Sequence, residues 1–269
     1  NLATLLKSLP KSEPDPGKSP APRLAVRNVT VKGGTVRYER TAPAGERTQA
    51  EISGFGLSVD QLVNGQSSKI TVGAEAKAEL TGGPQAGRAG GKLGGTVDVT
   101  LDDELMPTAS KGGIRLDLSD MTGALQSFAG LGLSVDVDFA KDDLKDLALR
   151  FSQRGQELAR IGVKGSLEVQ KQEARLTYEV RGLDRRILAL AGAASGLDLG
   201  ETKVGATGRF DVLKGGAEYA SSGKVQIDSL SLAGNGTRTP AVNLSTEYRV
   251  LVNPLDKKAL VDRLDILGT

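Results

Sequence analysis

An alternation of apolar and polar residues with a period of two is the feature that most constrains this chain. Between Ile70 and Leu80 every even-numbered residue is apolar, and every odd-numbered residue is polar or Gly. Successive side chains of a β-strand point to opposite faces, so the pattern predicts a strand with one apolar and one polar face. A sheet built from such strands must bury its apolar face against something.

The same alternation recurs along most of the chain and predicts roughly fourteen strands. Gly, Asn and Pro residues mark the turns between them. Most gaps are too short for the helical crossovers that parallel strands need, so we predict an antiparallel meander. The segments are Leu24–Val31, Thr35–Glu39, Ile52–Val59, Ile70–Leu80, Leu93–Leu101, Ile114–Leu118, Leu133–Phe139, Leu147–Phe151, Ile161–Val169, Leu176–Val180, Val204–Val212, Val225–Leu232, Val242–Val252 and Leu260–Ile266.

Helical spacing is confined to three short segments. Leu2–Leu9 is predicted as the end of a helix, and the Pro-rich stretch Lys11–Pro22 as an extended linker. Thr122–Ala129 and Arg185–Ala194 are predicted as short helices between strands. We therefore divide the chain into residues 1–22, a helix end with a linker, and residues 23–269, a β region.

These helices are too few to cover the predicted sheet, so the sheet must curl on itself or hold a ligand. Small aliphatic residues dominate its apolar positions, and aromatic residues make up only 3% of the chain. Such a surface suits a flexible hydrocarbon tail, because burial of each CH₂ is favourable without directional contacts. A β-sandwich or β-solenoid core remains the alternative.

We predict an all-β fold with two or three short helices, in which a long, curved, twisted antiparallel sheet forms a groove or half-barrel. Its candidate lining residues, taken from the alternation, are Ile70, Val72, Ala74, Ala76, Ala78, Leu80, Val97, Val99, Val135, Val137, Phe139, Leu149, Phe151, Val163, Leu167 and Phe210.

The residues that carry most familiar chemistry are missing from this sequence. It contains no His and no Cys, which removes the commonest general base, thiol nucleophiles and the usual zinc ligands. The carboxylates at Asp102–Glu104 and at Asp142 and Asp143 follow strand ends and are predicted to lie in solvated turns. We expect no catalytic residues, no metal and no cofactor.

Basic and tyrosine residues give no binding motif either. The net charge is only +2, with both signs interspersed, which argues against a nucleic-acid partner. The Gly-rich run Gly87–Gly95, with Arg88 and Lys92, is predicted to be a mobile hairpin loop, not an anion site. The four tyrosines fall on separate predicted strands and give no stacking platform; they are Tyr38, Tyr178, Tyr219 and Tyr248.

A Leu-rich helix end and a Pro-rich linker precede RLAVRNVTVKGGTVRYER (Arg23–Arg40), AEISGFGLSVDQL (Ala50–Leu62) and KITVGAEAKAEL (Lys69–Leu80). This order of segments resembles the AsmA-like family of bacterial envelope proteins. Later, LDRRILALAGAASGLDLGETKVGATGRFDV (Leu183–Val212) is similar to the family's recurring helix, Gly and long strands. The resemblance extends over nearly the whole chain and depends on pattern, not on an invariant motif.

The resemblance implies a non-enzymatic periplasmic module that carries phospholipid acyl chains along a β-groove between membranes, in outer-membrane biogenesis. It also implies an inner-membrane anchor outside this sequence, envelope protein partners and no catalytic residues, and we expect the chain to be a piece of a longer protein. A second hypothesis, from a different class, is a structural or adhesive β-repeat module with a closed, dry core and protein partners.

Overall fold

The structure, a computed structural model, describes residues 23, 25–43, 45–82, 86–189, 198–234 and 237–269. They form an all-β protein whose main element is an open, curved antiparallel sheet of thirteen strands. The strands are β1 (Ala25–Thr41), β2 (Arg47–Val63), β3 (Ser67–Thr81), β4 (Gly87–Leu101), β5 (Pro107–Ser119), β6 (Leu131–Ala140), β7 (Asp143–Gln153), β8 (Gln156–Glu168), β9 (Glu173–Leu183), β10 (Lys203–Leu213), β11 (Glu218–Leu230), β12 (Ala233–Gly234), β13 (Thr237–Arg238), β14 (Val242–Asn253) and β15 (Lys258–Gly268).

The strand order follows the chain order, with each strand of the main sheet paired to the next. The short strands β12 and β13 form a separate hairpin, so β14 pairs directly with β11. This order confirms the predicted antiparallel meander. At about 4.8 Å for each strand spacing, the sheet extends roughly 58 Å across its strands.

Each predicted strand segment lies in or overlaps a strand of the sheet, but two of the predicted segments belong to a single strand. Leu24–Val31 and Thr35–Glu39 were predicted as two strands, but β1 is continuous from Ala25 to Thr41. Gly33, with a φ of 73°, lies at an irregularity in the β1–β2 register and bends the strand without ending it. Glycine marks a bulge here, where the sequence pattern indicated a turn.

The first of the two predicted internal helices is shorter than predicted. Thr122–Ala129 forms a 3-10 helix from Gly123 to Phe128, and a second, shorter one spans Val169–Lys171. Residues 185–189 are α-helical, which agrees with the start of the predicted helix Arg185–Ala194. The rest of that prediction, residues 190–194, lies outside the described residues, as do the predicted helix end and linker within residues 1–22.

The two ends of the strands differ in their connections. Residues 64–66, 102–106, 141–142, 169–172, 214–217 and 254–257 make tight connections at one end. The three longest connections, residues 120–130, 184–202 and 231–241, all lie at the opposite end. Because the strands alternate in direction, this arrangement places both helical segments of residues 123–128 and 185–189 at the same end of the sheet.

One glycine in the middle of the sheet allows close approach of two strands. Gly112 on β5 has a φ of 142°, and a Cβ atom there would lie 2.2 Å from the backbone oxygen of Thr96 on β4. Only glycine fits both this φ and this distance without strain. Gly112 therefore sets the local backbone path where β4 and β5 meet.

Candidate functional site: the apolar face

The register of the thirteen strands places the apolar alternation on a single face. Residues paired directly across antiparallel strands project to the same side of the sheet. One row of such pairs crosses every strand of the main sheet, and we call it the central row. Its members in order are Val29, Val59, Ile70, Val97, Gly112, Val137, Leu147, Val163, Tyr178, Gly208, Gly223, Tyr248 and Leu264.

We call the side of the sheet that carries the central row the apolar face, and the opposite side the polar face. All sixteen candidate lining residues lie on the apolar face, either in the central row or at even spacing from it on the same strands. Ala76, for example, pairs with Ile52 on one side and Gly91 on the other. The alternation thus identified one surface, and contact of these residues with lipid stays a prediction.

Charge is segregated from this face. From β2 to β15, no residue that the described strand pairs place on the apolar face carries a charge. On β1 the register does place Arg27 and Arg40 there, opposite Gln61 and Thr48. The uncharged surface is therefore continuous over twelve neighbouring strands of the thirteen-stranded sheet.

Much of the apolar face is open to solvent. Val135 is 45% exposed and Phe210 is 36% exposed, and Ile114 and Leu147 are also exposed. Two candidate lining residues, Ala74 and Phe139, are buried. A contiguous exposed apolar surface of this kind on a folded domain marks an interaction site.

One end of the apolar face is covered by a helical segment. Ile187 is buried against Leu131 and Ala159, at the start of β6 and of β8. Phe151, a candidate lining residue, packs against the same cluster. Phe151 is therefore partly covered by the protein itself.

The polar face is held by cross-strand ion pairs. Glu79 on β3 pairs with Arg88 on β4 at 3.0 Å, and Glu75 lies 3.8 Å from Lys92 on the same two strands. Opposite charges on facing positions of neighbouring strands stabilise their pairing modestly. The polar face thus offers solvent a surface of compensated charges.

Arg150 on β7 is at the centre of the densest of these ion-pair groups. Its guanidinium contacts the carboxylates of Asp136 on β6 and Asp146 on β7, and lies 3.6 Å from Glu157 on β8. Asp146 also pairs with Arg160 on β8 at 2.5 Å. Arg150 and Arg160 are therefore paired with carboxylates on the polar face.

The Gly-rich run Gly87–Gly95 is not a loop, and that prediction was wrong. It is the first part of β4, paired with β3 on one side and, from Gly90 onward, with β5 on the other. Its glycines alternate between strand faces, which removed the periodic signal from the sequence. Arg88 and Lys92 on this run form the ion pairs with β3 described above.

The acidic residues Asp102–Glu104 and Asp142 lie in turns, as predicted, whereas Asp143 is the first residue of β7. Asp102 accepts hydrogen bonds from the backbone N–H groups of Glu104 and Met106 at 2.9 and 2.8 Å, in the connection between β4 and β5. Asp142, with a positive φ of 61°, lies in the two-residue connection from β6 to β7. Among the described residues no group of three or more acidic side chains is arranged to hold a metal ion.

The tyrosines lie on separate strands, as predicted. Two of them nevertheless meet: Tyr178 on β9 and Tyr248 on β14 approach each other over β10 and β11, and their hydroxyl groups hydrogen-bond. Tyr219 stacks on Phe210, with ring centroids 6.1 Å apart and an interplanar angle of 22°. The register places the rings of these three tyrosines and of Phe210 on the apolar face. This face therefore has a mainly aliphatic part on β2–β8, in which Phe139 and Phe151 are the aromatic lining residues, and an aromatic part on β9–β14.

Burial and hydrogen bonding alter the acidity of Tyr178. Its half-buried position and its hydrogen bond to Tyr248 both raise the pKa of its hydroxyl above the ordinary value of 10.0. The group therefore stays protonated, and able to donate a hydrogen bond, throughout the neutral range.

Comparison with known proteins gives no relative: no family model, no curated protein and no solved structure matches the chain. Fold and site define it as an open β-sheet protein with an apolar face that is uncharged from β2 to β15 and an ion-paired polar face. In the part of the chain that the structure describes, no helix has the length and hydrophobicity to cross a membrane.

Proposed function

We propose that this protein is a non-catalytic lipid-handling module whose apolar face binds the acyl chains of phospholipid. The observation that carries the proposal is the uncharged apolar face, which continues from β2 to β15 and is exposed at Ile114, Val135 and Leu147. Hydrocarbon suits this surface because its burial contributes about 0.8 kcal/mol for each CH₂ without requiring a polar partner.

The open sheet supports a bound hydrocarbon over a closed, dry core. In a closed core the apolar residues of one sheet are covered by those of a second, with faces about 10 Å apart. Here the described strands contact their neighbours in one sheet, and within the described part of the chain the 185–189 segment packs on the region around Leu131 and Ala159.

Within this proposal, the module acts in the bacterial periplasm in lipid transport between membranes, linked to the inner membrane by an anchor outside this sequence. Both the compartment and the anchor depend on the resemblance to the AsmA-like family. The ion-paired polar face supports it in part, since a compensated charged surface suits an aqueous compartment.

The proposal is tested by placing a photo-crosslinking residue at matched positions on the two faces. Ala76 is on the apolar face, and its neighbour Glu75 is on the polar face opposite Lys92. Val225 and Lys224 form a second matched pair on β11. The purified protein is irradiated with vesicles of phosphatidylethanolamine and phosphatidylglycerol.

We expect lipid adducts at positions 76 and 225 and few at 75 and 224. Equal labelling on both faces would contradict a lipid-binding groove. Adducts at 76 and 225 with copurifying protein instead of lipid would support the structural or adhesive alternative. Mass spectrometry of a solvent extract then shows whether phospholipid accompanies the purified protein.

A further inference from the structure

The apolar face carries a cluster of three hydroxyl groups in its aromatic part. The hydroxyl of Tyr178 bonds that of Tyr248, which lies 3.2 Å from the hydroxyl of Ser221 on β11. Ser221 in turn donates to the backbone oxygen of Arg209 at 3.3 Å. We call Tyr178, Tyr248 and Ser221 the hydroxyl cluster.

Two glycines fix the position of this cluster. Gly208 and Gly223 occupy the central row between the tyrosines. A Cβ atom at Gly208 would lie 2.4 Å from the Tyr178 hydroxyl oxygen, and one at Gly223 would lie 2.6 Å from it. The Tyr178 side chain therefore lies close to the backbone of both glycines, and its hydroxyl is held near the middle of the strands.

The hydroxyl cluster can free one proton for an external acceptor by reversing the direction of its hydrogen bonds. When Ser221 donates to Arg209, the chain of donors runs from Tyr178 through Tyr248 to Ser221, and every proton is used. If the chain reverses, Ser221 gives up its 3.3 Å bond to the Arg209 oxygen, and the Tyr178 proton becomes available. A phenol bond to a ligand then replaces the longest bond of the chain.

The surroundings decide what kind of acceptor fits. The described strand pairs from β2 to β15 place no cation on this face to neutralise a phosphate or a carboxylate. Desolvating an unpaired anion is costly, whereas a neutral carbonyl needs only one hydrogen bond. A neutral carbonyl attached to hydrocarbon is the group that matches both the hydroxyl cluster and the apolar row beside it.

We propose that the Tyr178 hydroxyl donates a hydrogen bond to an ester carbonyl of a diacyl phospholipid and so fixes where the acyl chains begin on the apolar face. The inference depends on the proposed function and adds to it the direction in which the acyl chains lie on the apolar face. From Tyr178 the central row continues through Val163, Leu147 and Val137. The acyl chain lies along this aliphatic part, directed away from the aromatic part.

The test uses two phosphatidylglycerols with identical chains and headgroups, one ester-linked and one ether-linked. They differ at the carbonyl oxygens, and binding to the purified protein is measured by competition for the crosslinker at position 76. The variant is Tyr178→Phe, which keeps the ring over Gly208 and Gly223 and removes the hydroxyl. The control is Tyr38→Phe, since Tyr38 is on the same face on β1.

One neutral hydrogen bond predicts that the wild-type protein prefers the ester lipid by about two- to tenfold. Tyr178→Phe is expected to abolish the preference, and Tyr38→Phe to keep it. If the wild type binds both lipids equally, or if Tyr178→Phe keeps the preference, the carbonyl site is wrong while the lipid groove stands. If the wild type binds neither lipid, the proposed function fails and this inference fails with it.

Discussion

Gly208 lies directly beneath the Tyr178 side chain, so that a Cβ atom at position 208 would be 2.4 Å from the tyrosine hydroxyl oxygen and 2.5 Å from the backbone oxygen of Ser222. The second distance involves backbone, which yields less easily than a side chain. Replacement of this glycine by any other residue must therefore disturb both the tyrosine and the β10–β11 pairing.

Gly208→Ala is expected to lower the free energy of unfolding by about 1–3 kcal/mol, because overpacking forces side-chain and backbone shifts. Chemical denaturation measures the change. Gly94→Ala on β4 is the matched control, since no atom lies within 4 Å of a Cβ at that position. It should change stability by no more than about 0.5 kcal/mol. Equal effects of the two substitutions would contradict the close contact at Gly208.

The raised pKa of Tyr178 predicts a pH dependence of stability at alkaline pH. A tyrosine that keeps its proton longer in the folded state makes that state bind more protons than the unfolded chain. The free energy of unfolding is therefore independent of this group below about pH 10, the ordinary tyrosine value, and falls as the pH rises beyond it.

Ultraviolet difference titration near 295 nm checks this expectation, because only ionised tyrosine absorbs strongly there. Tyr178 should ionise at a pH above the ordinary tyrosine value, and Tyr178→Phe should remove that late step. A titration in which the late step persists in Tyr178→Phe would assign the shift to another residue.

Arg150 is predicted to contribute more to stability than the exposed arginines of the polar face. Its side chain is 29% exposed among three carboxylates, whereas that of Arg37, paired with Glu51, is 77% exposed. Arg150→Lys loses the planar guanidinium that bridges strands and should cost about 1 kcal/mol. Arg37→Lys should cost less, because solvent screens that exposed pair. Denaturation at low and high ionic strength measures both, and a larger loss for Arg37→Lys would refute the ranking.

Ile187 anchors the 185–189 helical segment on the apolar face. Ile187→Ala removes a buried contact with Leu131 and Ala159 and is expected to cost about 2–4 kcal/mol at this site. It should also increase fluorescence of a dye that binds apolar surface, because the covered end of the face becomes accessible. Leu255→Ala is the control, since Leu255 is 77% exposed. Unchanged stability and dye binding in Ile187→Ala would show that the segment does not cover this end.

The face assignment could be predicted from the sequence because it depends only on local alternation. Ile70 and Ala76 follow the period of two within their own strand, and a meander keeps that side constant from hairpin to hairpin. Glycine was the source of error: it interrupted the apolar pattern at Gly33 and along Gly87–Gly95, although the backbone continues as strand at both places.

The hydroxyl cluster could not be predicted by the same reasoning. Tyr178 and Tyr248 are separated by 70 residues and two intervening strands, and their approach depends on the register of three successive strand pairs. Register is set by turns and bulges, such as the one between Val204 and Ala206, which alternation does not reveal. The one available signal was the presence of Gly208 and Gly223 at apolar positions of strands between two tyrosines.

The strand order allows the sheet to become longer or shorter by whole hairpins. Because the main sheet pairs each strand with the next one in it, a complete hairpin could be inserted or deleted without rearranging the remaining pairs. Each hairpin adds two strands, so it preserves strand direction and lengthens the sheet by about 10 Å. The architecture is therefore modular, with a reach adjustable in fixed increments, as in solenoid repeat proteins whose units contact only their neighbours.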